Sequence, residues 1–225
     1  MCTEGCIEFA TRNISELLVE DKFVLEVGSL DVNGSIRRVV EGFGPRKYTG
    51  VDIRSGPGVD EVVSVEDLLS TFGPETFDLV LSTEMLEHVP DWKSAVRNLK
   101  GVLRPGGTLL LTTRSQGFRF HGYPYDFWRF SREDLANIFS DFDVKALEKD
   151  WDTSPGVFLV ATKPQAYTQR PLDGLLIYSA VRHYRIARVT MLDRIVSRFG
   201  TRAKIFLTSI LPEAVLRRLR RQHFD

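Results

Sequence analysis

The chain has 225 residues, 43% of them hydrophobic and 27% charged, which suits one moderate domain with a large core and excludes disordered and collagen-like classes. Its 30 basic and 30 acidic residues cancel, yet residues 164–225 hold 12 Lys+Arg against 4 Asp+Glu, and residues 1–163 hold 18 against 26. An acidic body repels phosphates, so no nucleic-acid partner is expected, and the basic end suits a solvated face, an anionic lipid surface or a protein partner. Cys2 and Cys6 are too few for a disulfide framework or a zinc site. No apolar stretch approaches the ~20 residues of a membrane span. With Glu4, Glu8 and Glu16 at the start and no signal-peptide pattern, the expected location is cytoplasmic.

In chain order, Ile7, Ala10, Ile14, Leu17 and Leu18 recur at helical spacing and predict one amphipathic helix. Strands are expected at 22–27 (KFVLEV), 48–52, 59–64 and 77–82 (FDLVLS), with helices at 35–42 and around Leu68. Residues 91–103 predict a helix with Trp92, Ala95, Val96, Leu99, Val102 and Leu103 as its apolar stripe. The turn at 104–107 (RPGG) leads into a strand at 108–113. Residues 114–130 carry seven aromatic rings with no period, and Ser131 opens a helix with capping-box spacing to Asp134. Strands at 143–149 and 157–162 close the body as a plausible antiparallel pair. Strands alternating with helices predict an α/β, doubly wound sheet. Beyond Pro171 the arginine-rich stretches 175–184, 189–199, 203–210 and 212–221 read as helices, giving a body at 1–163 and a basic helical extension at 164–225. All the expected strands precede residue 163, so the body is expected to fold and bind its ligand without residues 172–225.

In a doubly wound sheet, ligands bind at the carboxyl ends of the strands. The first strand runs into Gly28, which permits a sharp turn and close approach of a ligand, and the second ends in Asp52, 24 residues later, able to accept two hydrogen bonds from a ribose diol. The third ends in Ser64-Val65-Glu66, where an adenine can lie, the fourth in Ser82-Thr83-Glu84 and the fifth in Thr113-Arg114-Ser115. The loop from Gly28 to Gly34 lacks the spacing and lysine of a phosphate loop. Leu30 and Asn33 stand where a dinucleotide fingerprint needs glycines. What remains is an adenosine ligand without phosphates.

The pieces VLEVGS (24–29) with NGS (33–35), GVDI (50–53), FDLVLSTEMLEHVPDW (77–92) and LRPGGTLLLTTRS (103–115) resemble the class I S-adenosylmethionine-dependent methyltransferases over roughly residues 22–163. The resemblance implies a Rossmann-like, seven-stranded, mostly parallel sheet whose last strand inserts antiparallel. It implies S-adenosyl-L-methionine as cofactor, with Glu26, Gly28 and Ser29 by the methionine moiety and Asp52 with Ile53 at the ribose. Ser64, Val65 and Glu66 would flank the adenine, and Ser82, Thr83 and Glu84 the sulfonium. Ser64 stands where many relatives carry an aspartate.

Methyl transfer to a hydroxyl benefits from a base, and His88 is the candidate, set against a purely structural role in its turn. Glu84 and His88 alone are too few for a metal site, so no metal is expected. Arg114, His121, Tyr123, Tyr125 and Asp126 are the expected contacts of a small-molecule acceptor, a sugar, phenol or similar hydroxyl or amine. Phe118, Phe120, Phe127, Trp128 and Phe130 either join them or pack as core. The other functions left open are a catalytically silent methyltransferase-like scaffold and another adenosine-cofactor enzyme, such as an atypical dehydrogenase.

Overall fold

The computed structural model describes residues 3–121, 125–150 and 154–199. Five strands form the parallel part of the main sheet: β1 (Phe23–Val27), β2 (Lys47–Asp52), β3 (Glu61–Val62), β4 (Phe77–Thr83) and β5 (Leu103–Arg114). The two-residue β6 (Trp128–Arg129) lies outside that sheet, which β7 (Asp143–Asp150) and β8 (Gly156–Thr162) complete. The order is β3-β2-β1-β4-β5-β8-β7, with β8 antiparallel to both neighbours. This is the Rossmann-like α/β sheet expected, with its last strand inserted in reverse.

Alternation along the strands sorts the core into two layers. On β5, Leu109 and Leu111 face one layer and Leu110 the other. The first layer holds α5 (Trp92–Val102), whose stripe of Trp92, Ala95, Val96, Leu99 and Val102 is buried as expected. Asp91 caps this helix by accepting from the Ser94 N–H at 3.2 Å. The second layer holds α1 (Glu4–Asn13) and α3 (Arg37–Glu41), with Phe9, Ile36 and Val40 fully buried.

Several expectations need correction. The N-terminal helix is two pieces, because α1 is capped at Ile14 and α2 covers only Glu16–Val19. Leu17, expected on the apolar face, is 85% exposed, and Cys6, Phe9 and Val19 fill the core instead. The third strand shrinks to β3 at the sheet edge. Ser64 no longer pairs but accepts from the Glu66 N–H at 3.3 Å, capping a 3-10 turn that leads into α4 (Leu68–Phe72). The capping box is present: Ser131 and Asp134 exchange side-chain and backbone bonds at the start of α6 (Arg132–Ile138).

The stretch expected as a helix at 175–184 is instead a short strand followed by a turn. β9 (Ile177–Ser179) pairs antiparallel with β6 and with β10 (Arg185–Ile186). Residues 191–199 are helical. The expected helices at 203–210 and 212–221 lie outside the described residues. Leu172 and Ile177 are each 1% exposed and belong to the same core layer as Phe127, Trp128 and Phe130. Deleting residues 172–225 therefore opens that core, and the independence expected of the body does not follow from its packing. No helix among the described residues is long and apolar enough to cross a membrane.

Candidate active site

A cavity of about 330 Å³ opens at the carboxyl ends of β1, β2 and β4. Its walls are Val27, Gly28, Leu30 and Val32 from the end of β1 onward, Asp52 to Arg54 from the end of β2, and Val63 to Glu66 after β3. Glu84, Met85 and His88 to Pro90 follow β4, and Tyr125 closes one side. Of the residues expected at the cofactor, the structure gathers Gly28, Asp52, Ile53, Ser64, Val65, Glu66 and Glu84 around this one space. Local backbone geometry explains part of the shape. Gly28 has φ +84°, and a Cβ there would lie 2.8 Å from the Met85 Cβ, so only glycine lets the β1 turn pass Met85. Among the described residues, the Asp52 carboxylate has one hydrogen bond, accepted from the Arg54 N–H at 3.1 Å. That leaves acceptor capacity toward the cavity.

Glu26, Ser29, Ser82 and Thr83 stand behind this wall rather than in it. All four are buried. Strand alternation turns the Glu26 carboxyl to the Tyr48 hydroxyl, which donates to it at 2.7 Å. Burial pushes the Glu26 pKa up to about 7, against the lowering effect of that hydrogen bond. Glu84 adopts a positive φ of 52°. Its carboxylate contacts the Arg114 guanidinium, with the Cys6 thiol and the Thr112 hydroxyl alongside. Burial, and then the Glu87 carboxylate, raise the Glu84 pKa, while Arg114 opposes them.

The expected acceptor contacts divide. Tyr125 lines the cavity. Arg114 is 1% exposed, tied to Glu84 and Asp150 and donating to the Ser154 carbonyl at 3.1 Å, so it holds strands together instead of meeting a ligand. Asp126 is fully buried and accepts from Arg129 at 2.7 Å and from the His121 N–H at 2.9 Å. Although burial opposes it, the Arg129 guanidinium and His121 hold the Asp126 carboxyl far below the usual carboxylate range. Tyr123 lies outside the described residues. Phe127, Trp128 and Phe130 are core: the Trp128 indole donates to the Val89 carbonyl at 2.8 Å, clamping this segment onto the turn after β4.

His88 sits where that turn meets the cavity. Its Nδ1 lies 2.7 Å from the Tyr125 carbonyl oxygen, which can only accept, so Nδ1 carries the proton and Nε2 keeps its lone pair. Burial lowers the His88 pKa and favours this neutral form. His121 faces it, with ring centroids 4.8 Å apart. Between them lies Glu87, which sequence reasoning passed over. It is the single acid of the apolar run MLEHV (85–89), and its fully buried side chain gives that anomaly its meaning. The apolar lining by Leu30, Val32, Met85, Val89 and Pro90 was also missed, since hydrophobic loop residues carry no motif.

A family model described as a methyltransferase domain matches residues 6–153. The chain belongs to that family, and its fold is that of the class I S-adenosylmethionine-dependent methyltransferases. A ubiquinone biosynthesis O-methyltransferase of Xanthomonas euvesicatoria is 48% identical over 62 residues, 27% of this chain and 26% of that protein. The Chromobacterium violaceum protein of the same name is 33% identical over 121 residues, 48% and 49% of the two chains. The match thus spans half or less of those relatives. Among solved structures, the Burkholderia thailandensis 1,6-didemethyltoxoflavin-N1-methyltransferase, bound to 1,6-didemethyltoxoflavin and S-adenosylhomocysteine, superposes with a TM-score of 0.54 at 19% identity. That likeness covers 70% of this chain and 78% of the other. A Mesorhizobium loti S-adenosylmethionine-dependent methyltransferase gives 0.55 at 17% identity over 71% and 99%. At these identities the structures speak for the fold alone.

Proposed function

We propose that the protein transfers the methyl group of S-adenosylmethionine to a hydroxyl of a small-molecule acceptor. The observation that carries this reading is the single cavity in which Gly28, Asp52 and Ser64 to Glu66 converge from three strand ends with His88 at its rim. The residues suit the cofactor. The unpaired acceptor capacity of Asp52 matches a ribose diol, Leu30, Val63 and Val65 offer apolar contact to an adenine, and the β1 turn that Gly28 permits puts its backbone in the cavity wall, beside the amino-acid end. The cofactor supplies an electrophilic methyl on a sulfonium, a good leaving group. The protein's part is then chiefly to hold the nucleophile in line with that methyl. His88 Nε2, unprotonated and pointing away from the Tyr125 carbonyl, is placed to act on the acceptor's proton. Tyr125 gives the acceptor an aromatic face, its ring stacked on Phe127 at 5.3 Å. An O-methyl acceptor agrees with the names of the partial relatives, whose substrates are not carried over.

Calorimetry with S-adenosylmethionine, S-adenosylhomocysteine and NAD tests the cofactor, and turnover against a panel of phenols, sugars and amines tests the acceptor. Binding of S-adenosylhomocysteine without NAD binding supports the reading. Binding of NAD alone refutes it, and tight cofactor binding with no turnover across the panel favours a silent scaffold.

A further inference from the structure

We propose that Glu87, His88 and His121 form a binding site for one divalent transition-metal ion at the acceptor end of the cavity. Glu87 Oε1 lies 3.9 Å from His88 Nε2 and 3.8 Å from His121 Nε2, and the three atoms fall within 4.8 Å of one another. An ion bound at ~2.0–2.2 Å holds tetrahedral donors about 3.2–3.6 Å apart, so the set is completed by closure of about 0.2–0.7 Å from Glu87 to each imidazole and of at most about 1.6 Å between the imidazoles. Each donor atom is already oriented by a partner on its far side. His88 Nδ1 is taken by the Tyr125 carbonyl at 2.7 Å and His121 Nδ1 by the ionised Asp126 at 3.0 Å, so both Nε2 lone pairs face inward. Glu87 Oε2 accepts from the Thr113 hydroxyl at 2.8 Å, whereas Oε1, fully buried, has no hydrogen-bond partner among the described residues. A buried carboxylate oxygen left in that state is costly in a protein interior and is what a cation would satisfy.

Two imidazoles and one carboxylate are a borderline donor set that suits zinc, iron or cobalt over magnesium or calcium. Three protein donors leave coordination positions open, and His88 lines the cavity, so an acceptor oxygen can reach the ion. This second part rests on the methyltransferase reading. A hydroxyl that coordinates the ion loses its proton to solvent. Its oxygen then bonds to the methyl carbon as the carbon–sulfur bond of S-adenosylmethionine breaks, and the electron pair returns to sulfur, leaving S-adenosylhomocysteine and the methyl ether. In the loaded protein the His88 lone pair is held by the ion, and the ion replaces the imidazole in acting on the acceptor's proton.

Tag-free protein is stripped with EDTA, dialysed, and titrated with Co²⁺ by visible absorption and with Zn²⁺ against a chromophoric chelator. One ion per chain is expected, with d–d bands of a four- or five-coordinate site, and His121→Ala should weaken binding at least about 100-fold while circular dichroism stays native. His88→Gln is the second variant should His121→Ala misfold. Absence of saturable uptake, or equal affinity in wild type and either folded variant, overturns the site. Calorimetry with S-adenosylhomocysteine on the same stripped protein separates the two readings. Cofactor binding without metal uptake refutes the metal site alone, and metal uptake without cofactor binding refutes the methyltransferase reading while the site stands. Turnover unchanged by stripping overturns the ion's part in acceptor activation and returns that part to the His88 imidazole.

Discussion

Glu26 gives the protein a stability that declines with pH through a window set by its own titration. The side chain is 2% exposed, and burial raises its pKa from 4.5 to about 7. Below pH 4.5 the carboxyl is protonated in folded and unfolded chains alike. Between 4.5 and 7 the unfolded chain ionises while the folded one holds its proton, so stability falls as pH rises, and above 7 the loss is complete. At about 1.4 kcal/mol per pH unit the rise amounts to roughly 3 kcal/mol. Glu26→Gln stays neutral throughout, so urea denaturation of both proteins from pH 4.5 to 8 should show the variant gaining about that much on the wild type. Tyr48→Phe removes the hydroxyl that donates to the carboxylate and should move the window to higher pH. A stability difference between Glu26→Gln and wild type that is flat to within about 0.5 kcal/mol across the range would refute the burial argument.

Asp52→Ala should weaken S-adenosylmethionine binding by about 2–3 kcal/mol in calorimetry, with an unchanged melting temperature, because a charged acceptor of two hydroxyl donors is lost from a half-exposed position. Gly28→Ala should lower stability by about 1–3 kcal/mol in denaturant melts and reduce cofactor affinity with it, since φ +84° is strained for alanine and its methyl would press on Met85. A chain ending at residue 171 should be aggregated or molten by near-ultraviolet circular dichroism, because Leu172 and Ile177 leave the layer that holds Phe127, Trp128 and Phe130; a native spectrum would show that this layer closes without them.

The central strands were legible because burial on both faces writes them as continuous apolar runs, as in TLLLTT (108–113) and VFLVAT (157–162). The cavity was legible for a related reason: strand ends in such a sheet share one edge, so Gly28, Asp52 and Ser64 could be grouped without knowing any distance. Side-chain direction within that edge was not legible. Glu26 and Ser82 sit one residue to the wrong side of the alternation. Arg114 and Asp126 looked like ligand contacts because charges in a strand-end segment are usually solvated. Asp150, the partner of Arg114, becomes its neighbour only in the fold, and the pairing of Asp126 with Arg129, three residues on, carries no helical or strand period that would announce it. The helix expected at 175–184 failed because tertiary pairing with β6 decided a short apolar stretch that local propensity left undetermined.

The two halves of the cavity are supported by different parts of the chain, and this bears on what the family match can imply. The side proposed for the cofactor is built from β1, β2 and β4, all inside the matched residues 6–153. The side proposed for the acceptor depends on residues 125–130 being pressed against the turn after β4. The Phe127 N–H donates to the Glu87 carbonyl at 2.9 Å from within that match, but the outer layer comes from beyond it. There the Ala180 N–H donates to the Phe127 carbonyl at 2.8 Å, and the Ser197 hydroxyl accepts from the Asp126 N–H at 2.9 Å. Asp126 in turn orients His121. Residues 177–197 therefore hold in place the groups that would meet an acceptor, while leaving the cofactor wall untouched. A change in this stretch, such as Ser197→Ala, should alter acceptor turnover before it alters cofactor affinity, and the acceptor of a relative matched only within residues 6–153 has no structural claim on this site.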